Sequence, residues 1–361
     1  MLESFSDAPI TAIFDGSKKR SNQRVLINPL KKVLTINYLS YIDLLTKAQA
    51  KYCMSKTLFI HHSQFDQHSV PPSHPESPLR NLAVEAKLRE SGLWQDLDVR
   101  FCQPTDKEKL KLVHTPGYID QLYQISPAKG MILADRDTPL AFDTLRAAEE
   151  AAGSGIQAVN SILQEGYQNV FCAIRPPGHH AEPNKTMGFC FVNNIALAAE
   201  YALTQPGINR VAIFDFDVHQ ANGTIEAFKN RNDVLVVSTF QHPHYPNSHW
   251  SVNAENIINI PIEAETASTQ FRRQVETPVM ASISRFKPDL ILVSAGFDAH
   301  TLDPMGEVDL IEDDFYWLTQ MTQSLANTYS KGRIVSMLEG GYSLEGLGLG
   351  AHEHIRALTG K

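Results

Sequence analysis

Between Val211 and Gly223 the chain reads VAIFDFDVHQANG, with three side chains of metal-binding type, Asp215, Asp217 and His219, at every second position. On an extended strand alternate side chains share a face, so all three are expected to point one way at the strand's carboxyl end. Two carboxylates and an imidazole crowded there repel and lose solvation unless something cationic sits between them. The alternative, that Asp215 and Asp217 cap a helix over 220–229, calls for one such residue rather than three in register. A further carboxylate, Asp298, follows the apolar run Leu290–Ala295 directly, in the segment AGFDAH. Asp217, His219 and Asp298 then offer two oxygens and one nitrogen with one position left open, the pattern of a catalytic rather than a structural zinc site. Such hard donors also suit Fe(II), Co(II) or Mn(II).

Three more segments carry chemistry at the ends of apolar runs. Asn169–Ile174 leads into Arg175-Pro176-Pro177-Gly178-His179-His180, where paired prolines stiffen the chain and a glycine allows a sharp turn. Two tandem histidines presented at such a fixed place are candidate proton carriers. Phe189, in GFCFVNN, reads equally as core or as a pocket wall. The loop Gln241–Pro246 is crowded with rings, and His242, His244 and His249 lack a carboxylate in step, so they read as surface or rim residues. Arg333–Leu338 runs into Glu339-Gly340-Gly341-Tyr342, whose glycines permit close backbone approach and whose phenol can reach a reacting group. The set suits amide hydrolysis: a metal polarises the carbonyl, a histidine takes the proton, and Tyr342 hydrogen-bonds the developing oxyanion.

The elements that must position these residues alternate. Strand-like runs fall at Thr57–His61, Val99–Cys102, Asn169–Ile174, Arg210–Asp217, Val234–Thr239, Asn256–Ile260, Leu290–Ala295 and Arg333–Leu338. Helical patterns fall at Leu79–Glu90, Asp143–Leu163, Asn193–Leu203, Thr269–Arg285 and Asp314–Tyr329. Such alternation predicts a mainly parallel sheet with helices on both faces, and ligands beyond the carboxyl ends of its strands. Residues 54–361 read as one catalytic domain without repeats or a Ser/Gly-rich linker. Residues 1–53 read as a basic extension, carrying eight Lys and Arg against four Asp and Glu, about +4 beside about −12 for the remainder.

At 361 residues, 43% hydrophobic and 20% charged, the composition is that of an ordinary globular enzyme. A net charge of −8 argues against direct nucleic-acid binding as the main function. Cys53, Cys102, Cys172 and Cys190 show no CxxC spacing and read as free thiols in a reducing compartment, so a cytoplasmic location is expected. No apolar run reaches the length of a membrane span.

In this order and spacing, RPPGHHA, GFCFVNN, DFDVHQANGT, AGFDAH and EGGY resemble the histone deacetylase superfamily, including its acetylpolyamine amidohydrolases and bacterial deacetylase-like enzymes. The similarity runs over about residues 56–358, with the early HPESPLR and VHTPGY segments included. Asn222 resembles the class II and bacterial branch, where class I members carry aspartate. The resemblance implies an arginase-deacetylase fold, a single α/β domain around an eight-stranded parallel sheet flanked by helices. Carried over by position, it makes Asp217, His219 and Asp298 the zinc ligands. It places Asp215 behind His179 and Asn222 behind His180, makes His180 the principal general base and acid, and makes Tyr342 the oxyanion donor. Gly188 and Phe189 would line the acyl channel, with Tyr245 as the opposite wall. A structural potassium would take backbone oxygens of Asp215, Asp217 and His219 together with Ser238 and Thr239. A second monovalent site would fall near Phe228, Arg231 and Val234. Residues 1–53 match nothing in the family's pattern, and Gln220 departs from the frequent histidine there.

The function this implies is removal of acyl groups, acetyl first, from lysine side chains of proteins or peptides. The alternative substrate is an acetylated polyamine or another small amide. A ureohydrolase needs two manganese ions and further bridging aspartates, and a non-catalytic acyl-lysine reader would be expected to lose Tyr342 or one histidine. Short connections, with no large insertion between Pro71 and Leu112, predict an open mouth and so an acyl-lysine substrate.

Overall fold

In the computed structural model, which describes residues 57–62 and 68–361, the short apolar runs form one central sheet. The proposed boundary at Met54 and the basic segment before it lie outside the described residues, as does Cys53. The chain enters through β1 (Thr57–His61), α1 (Leu79–Glu90) and β2 (Leu97–Phe101). Two short helices, α2 (Lys107–Leu110) and α3 (Pro116–Ile125), precede a hairpin of β3 (Met131–Asp135) and β4 (Thr138–Ala141). Then follow α4 (Thr144–Gln164), β5 (Asn169–Ala173), α5 (Asn194–Leu203), β6 (Val211–Asp215), α6 (Asn222–Phe228), β7 (Val234–Gln241) and β8 (Ile257–Ile262). The last elements are α7 (Ser268–Phe286), β9 (Leu290–Ala295), α8 (Glu312–Tyr329), β10 (Ile334–Leu338) and α9 (Leu344–Thr359).

The sheet has eight strands in the order β2-β1-β5-β10-β9-β6-β7-β8, all parallel. Helices α4, α5 and α6 pack as one layer, and α1, α9, α8 and α7 as another. With both faces covered, the inner strands need no polar alternation; every residue of β5, β6, β9 and β10 is buried. The order matters for function. Strands β9 and β10 come late in the chain yet insert between β5 and β6, so four carboxyl ends converge at the middle of one sheet edge.

Strand edges shift by one or two residues at several places, and one shift bears on the site. The strand expected to run on to Asp217 stops at Asp215. Asp215 Oδ1 accepts the Asp217 N–H at 3.1 Å, and Asp217 Oδ1 accepts the His219 N–H at 2.9 Å. Carboxylates thus take amides that a continuing ladder would use. Asp217 and His219 are aligned by these local turns, not by strand alternation. Nor do the aspartates cap the next helix, since α6 begins at Asn222 behind Ala221 with no side-chain cap.

Helix α9 carries the segment GLGLG, although glycine inside a helix is destabilising. Here the missing side chains permit packing: a Cβ on Gly350 would press Phe297 and Phe315, and one on Gly348 would touch the Ala83 carbonyl. Among the described residues, no helix is long and apolar enough to cross a membrane. Cys102, Cys172 and Cys190 are buried free thiols.

Candidate active site

The floor of the site is assembled from the ends of β6 and β9. Asp217, His219 and Asp298 are buried, and one donor atom from each lies within 4.8 Å of the others. His219 Nδ1 is 3.0 Å from Asp217 Oδ1 and 3.1 Å from Asp298 Oδ2. Burial alone would lower the His219 pKa, but the two carboxylates outweigh it and raise it to about 10. Burial likewise pushes the Asp298 carboxyl up, with the Asp217 charge adding to it. The cluster therefore calls for positive charge, and its donor set fits a divalent cation. The backbone makes room for it. A Cβ on Gly340 would collide with the Asp298 and Asp217 carboxylates, and Gly340 N–H instead donates to Asp217 Oδ2 at 2.7 Å. Val218 N–H fixes the other ligand by donating to Asp298 Oδ1 at 2.9 Å.

The histidine pair leaves β5 with ring centroids 4.0 Å apart and meets two different partners. His179 Nδ1 lies 3.1 Å from Asp215 Oδ2, whereas His180 Nδ1 lies 2.6 Å from Asn222 Oδ1. Against the cost of burial, the Asp217, Asp215 and Glu339 charges hold His179 well above the ordinary histidine value. Burial pushes His180 well below it, helped by the neighbouring His179 and His219. One ring is thus stabilised as a cation and the other as neutral imidazole. Tyr342 follows β10, and burial raises its phenol well above the ordinary value, so it is a donor at neutral pH. Asp303 Oδ2 accepts the Tyr342 and Ser343 amides at 2.6 and 2.8 Å and holds the turn that presents the phenol.

A cavity of about 290 Å³ opens onto this floor. His180, His219 and Tyr342 line it together with Gly188, Phe189 and Tyr245. Gly188 sits at φ +55°, and a Cβ there would meet the His180 ring. Phe189 follows at φ +67°, costly for an aromatic residue; its N–H donates to Thr138 Oγ1 at 3.1 Å, and its ring packs 5.8 Å from Tyr342. Tyr245 faces His180 edge-on at 5.2 Å. His244 belongs to the same wall, stacked 5.1 Å from His219 with Nε2 2.9 Å from the Met305 carbonyl. His242 and His249 do not line it. Asp137, in the turn between β3 and β4, does.

This architecture matches known proteins over most of its length. The model of the histone deacetylase domain matches residues 74–358. The chain belongs to the histone deacetylase family. It is 35% identical to a histone deacetylase-like amidohydrolase of Pseudomonas aeruginosa over 285 residues, 76% of this chain and 74% of that one. It is 33% identical to a probable deacetylase of Archaeoglobus fulgidus over 298 residues, covering 80% and 82%. The crystal structure of the HDA15 HD domain superposes with a TM-score of 0.78 at 30% identity, covering 86% of this chain and 89% of that one. As a deacetylase of this family, the chain is a hydrolase of amide bonds acting on acetylated substrates.

The potassium that the family resemblance implies has a fitting cradle. Ser238 Oγ, on β7 opposite Asp215, is buried with no hydrogen-bond partner, and Thr239 Oγ1 lies 3.5 Å from the Asp215 carbonyl. Near the second monovalent site, Asn256 Nδ2 donates to both the Phe228 and Val234 carbonyls, at 2.8 and 2.9 Å.

Several residues of this deacetylase site escaped sequence reasoning. Glu339, buried, accepts the Gly178 N–H at 2.6 Å and the His179 N–H at 3.1 Å, pinning the histidine turn to β10. Its signal was present, because it is the first residue past the last strand. Arg80, also buried, donates to the Gly341 carbonyl at 2.6 Å and to the Glu339 carbonyl, with its guanidinium 5.0 Å from the Tyr342 ring centroid. Nothing in HPESPLR marks that reach across 261 positions.

Proposed function

We propose that the chain is a zinc-dependent deacylase of acetyl-lysine side chains in proteins or peptides. One observation carries the reading: an apolar-walled cavity ends on His180, His219 and Tyr342 together. A narrow wall of Gly188, Phe189 and Tyr245 suits the methylene stem of an acylated amine. The charge of about −12 on residues 54–361 draws cationic segments toward the protein.

When bound by Asp217, His219 and Asp298, a zinc ion supplies Lewis acidity at the amide carbonyl and lowers the pKa of water. The protein's own groups do the rest. Neutral His180 accepts the proton of the attacking water and delivers it to the leaving amine. His179, paired at Nδ1 with Asp215 Oδ2, packs against the His180 ring and holds it beside the reacting centre. The Tyr342 hydroxyl donates to the carbonyl oxygen as it gains charge. Phe189 and Tyr245 exclude water from the acyl stem. A potassium at Ser238 and Thr239 would brace the Asp215 backbone beneath.

A second reading, an acetylated polyamine, draws on the Asp137 carboxylate in the cavity lining, which suits a chain carrying ammonium groups. The test is kcat/KM for an acetyl-lysine peptide against acetylated putrescine and spermidine. The proposal expects the peptide to be preferred. A polyamine preference of about tenfold, equal to about 1.4 kcal/mol of discrimination, reverses it.

A further inference from the structure

The two histidines differ in what lies behind them. His179 faces a carboxylate, but His180 faces the carboxamide of Asn222, and an amide can sit either way round in nearly the same shape. Its neighbours decide. Asn222 Nδ2 lies 2.8 Å from Glu182 Oε1, 3.2 Å from the His180 carbonyl and 3.4 Å from Met187 Sδ, all acceptors. Turning the amide over would aim Oδ1 at a carboxylate and a carbonyl, and would set the NH₂ against His180 Nδ1. With Nδ2 so held, Oδ1 is the acceptor at 2.6 Å, and His180 Nδ1 must carry the proton.

We propose that Glu182 is a positioning residue for proton transfer, orienting the Asn222 amide so that His180 keeps Nδ1 protonated and Nε2 free for the cavity. This rests on the reading of His180 as the proton carrier. Glu182 is itself clamped. Its N–H donates to the Lys185 carbonyl at 3.0 Å, and its carbonyl accepts from Lys185 N–H at 3.3 Å. His114 Nδ1 lies 3.0 Å from the same carbonyl, while His114 Nε2 accepts the Asn193 N–H at 2.9 Å. These contacts fix the Glu182 backbone, and the half-buried carboxylate it presents also constrains position 222. An aspartate there would stand against Glu182, and two carboxylates that close do not both ionise, so the pair would repel or take up a proton that the amide makes unnecessary. Asn222 and Glu182 therefore depend on each other.

The experiment uses the full chain loaded with zinc and an acetyl-lysine peptide, comparing Glu182→Ala, Glu182→Gln, Asn222→Asp and the double variant Asn222→Asp/Glu182→Gln. Each is measured for kcat, for KM and for the ¹⁵N shifts of the His180 ring. Glu182→Ala should lower kcat about tenfold with KM little changed, the usual size for a partner that orients a functional ligand. Its ring nitrogens should shift toward the Nε2–H tautomer. Glu182→Gln, which keeps an acceptor at Oε1, should stay within about threefold of wild type. Asn222→Asp should fall by about tenfold or more, and adding Glu182→Gln should restore most of that loss. The same substitution then lowers activity slightly in one background and raises it in the other, which a purely structural brace would not do. Wild-type kcat and unshifted nitrogens in Glu182→Ala overturn the proposal. So does a double variant no better than Asn222→Asp, which decides the matter even if Glu182→Ala does not fold. Activity retained by His180→Ala overturns the parent reading instead. An inactive His180→Ala beside an unaffected Glu182→Ala overturns this one alone.

Discussion

At the floor of the cavity Asp217, His219 and Asp298 are buried, and backbone amides or neighbouring strands hold each carboxylate. At its rim Asp137, His244 and Tyr245 are only half buried and stand on connections between elements. The floor draws its geometry from the ends of four adjacent parallel strands, which cannot move independently. The rim draws its geometry from a hairpin and a ring-rich loop. Chemistry is fixed where the sheet is stiffest, and selectivity is left to segments free to vary. Substitutions at the floor should therefore act on kcat, and those at the rim on KM.

The largest expected effect is at the floor. His180→Ala should cost roughly a hundredfold or more in kcat, through loss of the proton carrier, and His179→Ala should cost less. Tyr342→Phe should depress kcat by about a hundredfold with KM nearly unchanged, one oxyanion donor being lost. Single-turnover kinetics on the acetyl-lysine peptide measure both. Wild-type turnover in His180→Ala would rule out the imidazole as proton carrier, and wild-type turnover in Tyr342→Phe would rule out the phenol as oxyanion donor.

Phe189→Ala tests the channel wall between floor and rim. It should raise KM by about tenfold, the worth of one aromatic contact with the acyl stem, with a smaller change in kcat. A drop confined to kcat would move Phe189 from the wall to the chemistry. Asp137→Asn, at the rim, should lower kcat/KM for a cationic substrate by about threefold, an effect that fades as salt is raised. A salt-independent loss would show that Asp137 acts by something other than its charge.

The floor was legible in the sequence and the rim much less so. Asp217, His219, Asp298, the histidine pair and Tyr342 each follow a short apolar run, and a run buried on both faces is readable without knowing its partners. Strand order is not, because β10 pairs with β5 far upstream, Ile334 lying beside Asn169. The β3–β4 hairpin went unseen. Residues Met131 to Leu133 are exposed and apolar without alternation, and Pro139 lies inside β4. His244 stands at the rim, but its stack on His219 is something no local pattern encodes. Asn222 was placed behind His180, but Glu182 behind Asn222 was not, since a contact across 40 residues leaves no periodic trace.

A smaller effect concerns the scaffold beneath the floor. His354 is buried between Thr319 Oγ1 at 2.6 Å and Ser336 Oγ at 2.7 Å, and burial lowers its pKa to about 3. The unfolded chain holds this proton below about pH 6.5, while the folded chain does not accept it until about pH 3. Its contribution to stability is thus complete above pH 6.5 and is lost as pH falls, by up to about 1.4 kcal/mol per pH unit. Denaturant unfolding between pH 7 and pH 4 should show a shallower slope in His354→Gln than in wild type. Identical slopes would mean that the buried ring protonates without cost.

The central claim is that Asp217, His219 and Asp298 hold the metal on which amide hydrolysis depends. The most direct measurement strips the purified protein with a chelator, titrates zinc back, and follows both metal content and acetyl-lysine turnover, beside Asp298→Ala. Activity should vanish on stripping and return with zinc to a plateau of one ion per chain, while Asp298→Ala stays folded, binds zinc weakly and remains inactive. Undiminished turnover by metal-free protein, or full activity in Asp298→Ala, would contradict the claim.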